Sequence, residues 1–155
     1  MSNSVKRYDG CRLCGHEHTE TIFSLGEQYV NNFVLEEQIG EGILAPIEVC
    51  HCPKCDLTQL RHTAPQELLY SGFYWYRSGV TDTMKAALKE IVEAIYKEKH
   101  LDSTSLFFDI GANDGTMLSF CRNNETTVGC EPATNLQAML AEVADISINE
   151  FWSAE

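Results

Sequence analysis

The sequence predicts an α/β protein in two parts: a small N-terminal domain closed around a metal, then a parallel sheet. Three observations carry this. Four of the seven cysteines form two Cys-x-x-Cys pairs, Cys11 with Cys14 and Cys52 with Cys55. A glycine turn from Gly111 to Gly115 directly follows the apolar run Leu106-Phe107-Phe108-Asp109-Ile110. From that run onward, short apolar runs alternate with helical segments in β-α-β-α-β order, which implies parallel strands joined by right-handed crossovers.

The bulk numbers fit this division. A chain of 155 residues makes one domain, or a small domain joined to part of another. With 44% hydrophobic and 22% charged residues it has the balance of a globular protein. No apolar run could span a bilayer, and the first ten residues lack the apolar core of a secretory signal, so a cytoplasmic location is expected. The net charge of −12 repels phosphate backbones and argues against nucleic-acid binding. In a reducing compartment paired cysteines point to metal rather than disulfides.

The expected boundaries are 1–63 for the metal domain, 64–100 for a connector and helix, and 101–155 for the partial sheet domain. In the first region Gly26, Gly40, Gly42 and Pro46 punctuate loops and short strands. The runs 46–50 and 57–60 read as strands beside the second cysteine pair. In the second, Thr81 or Asp82 can cap a helix. Its apolar face is Met84, Ala87, Leu88, Ile91 and Ile95. Lys97, Lys99 and His100 suit the negative end of its dipole. In the third, 106–110 reads as a buried strand, 116–123 as a short helix and 126–130 as a second strand. A second helix is expected at 135–143 and a third strand at 146–148.

Zinc takes four soft ligands at tetrahedral corners, and each Cys-x-x-Cys turn can supply two. Cys11-Arg12-Leu13-Cys14-Gly15 and Cys52-Pro53-Lys54-Cys55-Asp56 make the set. Gly15 permits a left-handed backbone, and Asp56 tolerates one less readily. With all four places filled by protein, the site would be closed and structural. Buried free thiols or a redox pair are the alternative. Cys50 and His51 are spare candidates, His16 and His18 read as solvated loop residues, and Cys121 and Cys130 as small buried hydrophobes.

The turn after the first strand reads Asp109-Ile110-Gly111-Ala112-Asn113-Asp114-Gly115. Its glycines let backbone turn sharply and approach a ligand at the carboxyl edge of a parallel sheet. A dinucleotide fingerprint would need a glycine where Asn113 stands, which argues against NAD. Glu131, at the end of the second expected strand, could accept both hydroxyls of an adenosine ribose. Together these features point to an adenosine-containing cofactor other than a dinucleotide. The alternative is a glycine-rich turn followed by an unrelated surface glutamate.

In succession these motifs resemble the sugar C-methyltransferases. That family acts on nucleotide-linked deoxysugars and carries an N-terminal zinc-binding domain before a Rossmann-like S-adenosylmethionine (SAM) domain. The resemblance runs through the first knuckle, Phe23-Ser24-Leu25-Gly26-Glu27-Gln28, Asn32-Phe33 and the second knuckle. It continues through Tyr74-Trp75-Tyr76-Arg77-Ser78, Thr83-Met84, the 109–118 turn and Glu131-Pro132. It implies that Gly111, Asn113, Asp114 and Gly115 surround the methionine part of SAM. It also implies that Asp109 supports that loop, that Glu131 holds the ribose, and that Tyr74 and Tyr76 approach the substrate or methyl donor. Packing is the competing role for those tyrosines. Asp56 departs from the family's usual glycine. The family's acid–base residues lie in segments that would follow residue 155, so this stretch is expected to be inactive alone. The first strand is expected to leave an open edge that pairs with the missing half or a second copy. A zinc-stabilised binding module without chemistry is the other reading.

Overall fold

The computed structural model describes residues 5–30, 35–71, 73–122 and 125–153. The Asn32-Phe33 motif and residue 123, the expected end of a helix, lie outside them. The chain divides into two compact units, Met1–Leu69 and Tyr70–Glu155. No described helix is long and apolar enough to cross a membrane.

The first unit is built from strands. β1 (Lys6–Arg7) pairs with β5 (His62–Thr63), and β2 (Glu20–Tyr29), β3 (Leu44–His51) and β4 (Thr58–Leu60) form an antiparallel sheet in that order. β3 and β4 occupy the two expected runs, whereas the ten-residue β2 falls in the stretch read only as loops and short strands. Its register against β3 slips between Thr21 and Phe23 and again between Ser24 and Glu27. Gly26, at φ +69°, sits in the second slip. Each slip breaks the strict alternation by which a strand is recognised in sequence.

This unit buries Cys11, Ala45, Cys50, Cys52 and Ala64, with no large aliphatic or aromatic side chain fully buried among its described residues. So small a core cannot offset the entropy of ordering the chain, and such units need a staple. One polar knot helps. Arg61, 6% exposed, donates through Nε to Glu48 Oε1 at 2.9 Å and through an η nitrogen to Thr21 Oγ1 at 3.1 Å and the Thr19 carbonyl at 3.2 Å. The Thr21 hydroxyl and then Arg61 hold the Glu48 carboxyl below its usual range, against the opposing effect of burial. A short helix, α1 (Gln66–Tyr70), ends this region.

The second unit begins with a connector and α2 (Asp82–Glu98). Thr81 caps α2, its hydroxyl accepting from the Met84 amide at 3.3 Å. The inward face runs along Met84, Leu88, Val92, Ile95 and Tyr96, whereas Ala87 and Ile91 are exposed. The expected stripe is therefore displaced. Val92 is its fully buried member and packs with Phe107, Ala112, Leu118 and Leu140. Apolar residues border α2 on both sides of Leu88, so the core it meets, rather than its own periodicity, selects the face.

β6 (Leu106–Ile110), β7 (Thr126–Cys130) and β8 (Ile146–Ile148) are all parallel, in the order β6-β7-β8, with α3 (Gln137–Val143) before β8. A 3-10 turn at Thr134–Leu136 leads into α3. Gly129 lets α3 come close: a Cβ there would lie 2.5 Å from Leu140 Cδ1. β6 is buried on one face only. Phe107 and Asp109 point inward, Leu106 and Ile110 are exposed, and Phe108 meets the Trp152 ring at 5.0 Å. The helix expected over 116–123 is reduced to the 3-10 turn Leu118–Phe120 among the described residues. There the Ser119 hydroxyl bonds back to the Thr116 carbonyl at 2.7 Å, a local bond that competes with helix propagation.

Candidate functional site

The two cysteine pairs come together as one cluster. Cys11 Sγ lies 3.6 Å from Cys55 Sγ and Cys14 Sγ 3.7 Å from Cys52 Sγ, and all four sulfurs fall within 4.8 Å of one another. A tetrahedral zinc with bonds of about 2.3 Å sets its sulfurs about 3.8 Å apart, so the residues fit the ion. The knuckles are built alike. The Cys11 amide donates to the His16 carbonyl at 2.7 Å and the Gly15 amide to the Cys11 carbonyl at 3.1 Å. The Cys52 amide donates to Leu57 and the Asp56 amide to Cys52, both at 2.9 Å. Gly15 has φ +70° and Asp56 φ +60°, so the aspartate adopts the left-handed turn that glycine makes in the first knuckle.

Electrostatics also calls for a cation. The Cys14 amide, and less strongly that of Leu13, lower the Cys11 thiol to about 6 despite burial. At Cys55 the Leu57 amide pulls the same way, but burial and the three neighbouring sulfurs outweigh it and the thiol rises to about 12. Each thiolate formed makes the next harder, and a divalent ion removes that conflict. Cys50 is fully buried but outside the cluster, bonding the Gln59 carbonyl at 3.4 Å. His51 faces Asp56 at 3.2 Å.

The second site lies at the carboxyl ends of β6 and β7. Gly111 turns the chain at φ +79°, and its amide donates to the Cys130 carbonyl at 2.8 Å. Asn113 follows at φ +52° and Gly115 at φ +78°. A Cβ on Gly115 would lie 2.3 Å from Val143 Cγ2, so both conformation and space require glycine. The Asn113 amide donates to Glu131 Oε2 at 2.9 Å, and the Ala133 amide to Glu131 Oε1 at 2.8 Å. Glu131 is 5% exposed, and each carboxylate oxygen retains capacity for a further donor.

Asp109 is 9% exposed. Burial, then the charge of Glu131, raises it to about 6. The Asn113 and Asp114 side chains are already committed. Asn113 Oδ1 accepts from the Ser78 amide at 2.9 Å and its Nδ2 donates to the Tyr76 carbonyl at 3.1 Å. Asp114 Oδ2 accepts from the Gly79 amide at 2.9 Å, while Oδ1 accepts from the Thr116 hydroxyl at 2.6 Å.

The sequence thus located the loop but missed what its polar side chains hold. Tyr74 and Tyr76 are brought to the same neighbourhood, their rings 6.5 Å apart. Burial, Tyr70 and Glu131 raise the Tyr74 phenol. Asn135 was not singled out. It accepts from the Tyr74 amide at 2.8 Å and donates to the Tyr74 carbonyl at 3.1 Å. A lone asparagine before a helix reads as a cap, so nothing in the sequence marked this role.

Residues 11–70 match a family model described as "Putative zinc binding domain". Over 139 residues the chain is 29% identical to a protein named C-methyltransferase NovU from Streptomyces niveus. The alignment covers 88% of this chain and 33% of that protein. The chain is homologous to the N-terminal region of a C-methyltransferase. The matched segment contains all four clustered cysteines, so the family match and the sulfur geometry both support zinc there. The chain spans about a third of the length of this relative, whose alignment extends well beyond the zinc-binding segment.

Proposed function

We propose that the chain is the donor-binding portion of a SAM-dependent C-methyltransferase acting on a nucleotide-linked keto-deoxysugar. The observation that carries this reading is the bond between the Asn113 amide and Glu131. It sets an acidic side chain against a left-handed loop at the carboxyl edge of parallel strands. In a Rossmann-like sheet this is where an adenosine ligand rests.

The residues fit SAM. Glu131 would take the ribose hydroxyls on its remaining lone pairs. Asp109, buried near the charge of Glu131, would face a cationic part of the ligand, and that charge would restore its ionised form. The loop at Gly111 and Gly115 would offer backbone. SAM supplies an electrophilic methyl group. Tyr74 and Tyr76 would border the place where the sugar meets it. Among the described strands β6 pairs with β7 alone, and its other edge is where a further strand would continue the sheet.

Both tryptophans lie in the second unit, so fluorescence-detected melting reports on that unit. SAM at a hundred times its dissociation constant should add about 2.7 kcal/mol to its stability. A higher midpoint with SAM but not NAD supports the reading. Stabilisation by NAD alone would make the site a dinucleotide site. The exposed Ile22, Phe23, Leu25 and Tyr29 on β2 favour a second reading, a zinc-stabilised module that binds a partner without chemistry. That reading predicts a folded, zinc-loaded chain indifferent to SAM.

A further inference from the structure

Residues 74–79 form a strap whose backbone is read by three side chains. Asn135 takes both the amide and the carbonyl of Tyr74. Asn113 takes the Tyr76 carbonyl and the Ser78 amide, and Asp114 takes the Gly79 amide. Five hydrogen bonds therefore fix a segment that has no regular structure before Ser78. Gly79 comes so near that a Cβ would lie 2.6 Å from Thr116 Oγ1 and 2.9 Å from Asp114 Oδ2.

The latch is wired to the loop. Asn113 uses its amide on Glu131 and its side chain on the strap, so one residue links the acidic group to Tyr76 and Ser78. At the other end Asn135 sits in the turn that follows Glu131 and leads into α3. Here the two-sided grip on Tyr74 sets both the height and the rotation of that residue's backbone, which a single bond would not do.

We propose that Asn135 is a positioning residue that fixes Tyr74 over the donor loop, acting with Asn113 and Asp114 as a latch on the strap. This rests on the reading of the 111–115 loop and Glu131 as the donor site. The latch makes strap order and ligand occupancy interdependent. A ligand held by Glu131 finds the tyrosines already placed, and a loosened strap weakens the ligand.

The test uses the whole chain, zinc-loaded, with Asn135→Ala and Asn135→Asp. Amide hydrogen exchange is followed with and without S-adenosylhomocysteine (SAH), and SAH affinity is measured by calorimetry. In Asn135→Ala, exchange over 74–79 should rise about tenfold while β6 and β7 keep their protection. SAH should bind about fivefold more weakly. Asn135→Asp retains the acceptor for the Tyr74 amide and should recover part of the protection there. Unchanged strap exchange in Asn135→Ala overturns the latch. Equal SAH affinity in variant and wild type overturns the positioning role even if the strap loosens. Strap loosening in Asn135→Ala, together with a folded wild type that binds no SAH, would uphold the latch and refute the donor-site reading instead. Should Asn135→Ala fail to fold, Gly79→Ala displaces the strap from the other end and takes the same readouts.

Discussion

The Asn113 amide donates to Glu131 Oε2 across 2.9 Å, joining the loop after β6 to the end of β7. Neither residue is exposed, at 7% and 5%. A buried carboxyl group held by two main-chain amides, those of Asn113 and Ala133, is an organised acceptor at the carboxyl edge of the sheet.

Zinc should be stoichiometric. Protein purified without chelator should contain one zinc per chain by elemental analysis. Cys52→Ser, at a fully buried ligand, should lose the metal. The first unit should then unfold, because it has little apolar core to fall back on. Far-ultraviolet circular dichroism would show the loss of strand signal. A metal-free first unit that kept its strands would contradict the assignment.

Gly115→Ala combines a left-handed backbone with a clash against Val143 and Leu140. It should destabilise the second unit by about 2–4 kcal/mol. Urea unfolding followed by tryptophan emission measures it. A change below about 0.5 kcal/mol would mean that α3 does not pack on the loop as described.

Arg61→Ala strips Glu48 of its charged partner and leaves three acceptors short of a donor. Removing the Arg61 donor should measurably destabilise the first unit. Zinc retention under urea, read with a chromogenic chelator, reports the loss.

The Asp109 carboxyl is raised from 3.8 to about 6, by burial first and then by Glu131. Between those values the folded state binds more protons than the unfolded state. The contribution of Asp109 to stability is therefore full below about pH 4 and lost as pH rises through about 6. Asp109→Asn removes this dependence and should stabilise the ligand-free second unit at pH 8. Trp152, packed on Phe108 beside Asp109 in β6, provides the signal. Equal pH profiles for variant and wild type would show that Asp109 is not held out of water.

Much of this was legible in the sequence. The knuckles were, because two Cys-x-x-Cys pairs leave little choice, and Asp56 stands at the position that Gly15 fills in the first knuckle. β6, β7, α3 and β8 were legible because each apolar run has one length and one boundary. β2 was hidden by its two register slips, and the α2 face by apolar residues on neighbouring stripes. The strap was invisible because it is recognised through its backbone. Tyr74, Ser78 and Gly79 contribute amides, which every residue but proline has, so the sequence marks only the aromatic rings.

The central claim is that Glu131 and the loop beside it bind the methyl donor. The most direct measurement is calorimetric titration of the zinc-loaded chain with SAH, with Glu131→Ala titrated alongside. Saturable binding by wild type at one site, lost or weakened at least tenfold in a folded Glu131→Ala, is the predicted result. No heat of binding from a folded, zinc-loaded wild type, or equal affinity in the two proteins, would contradict it.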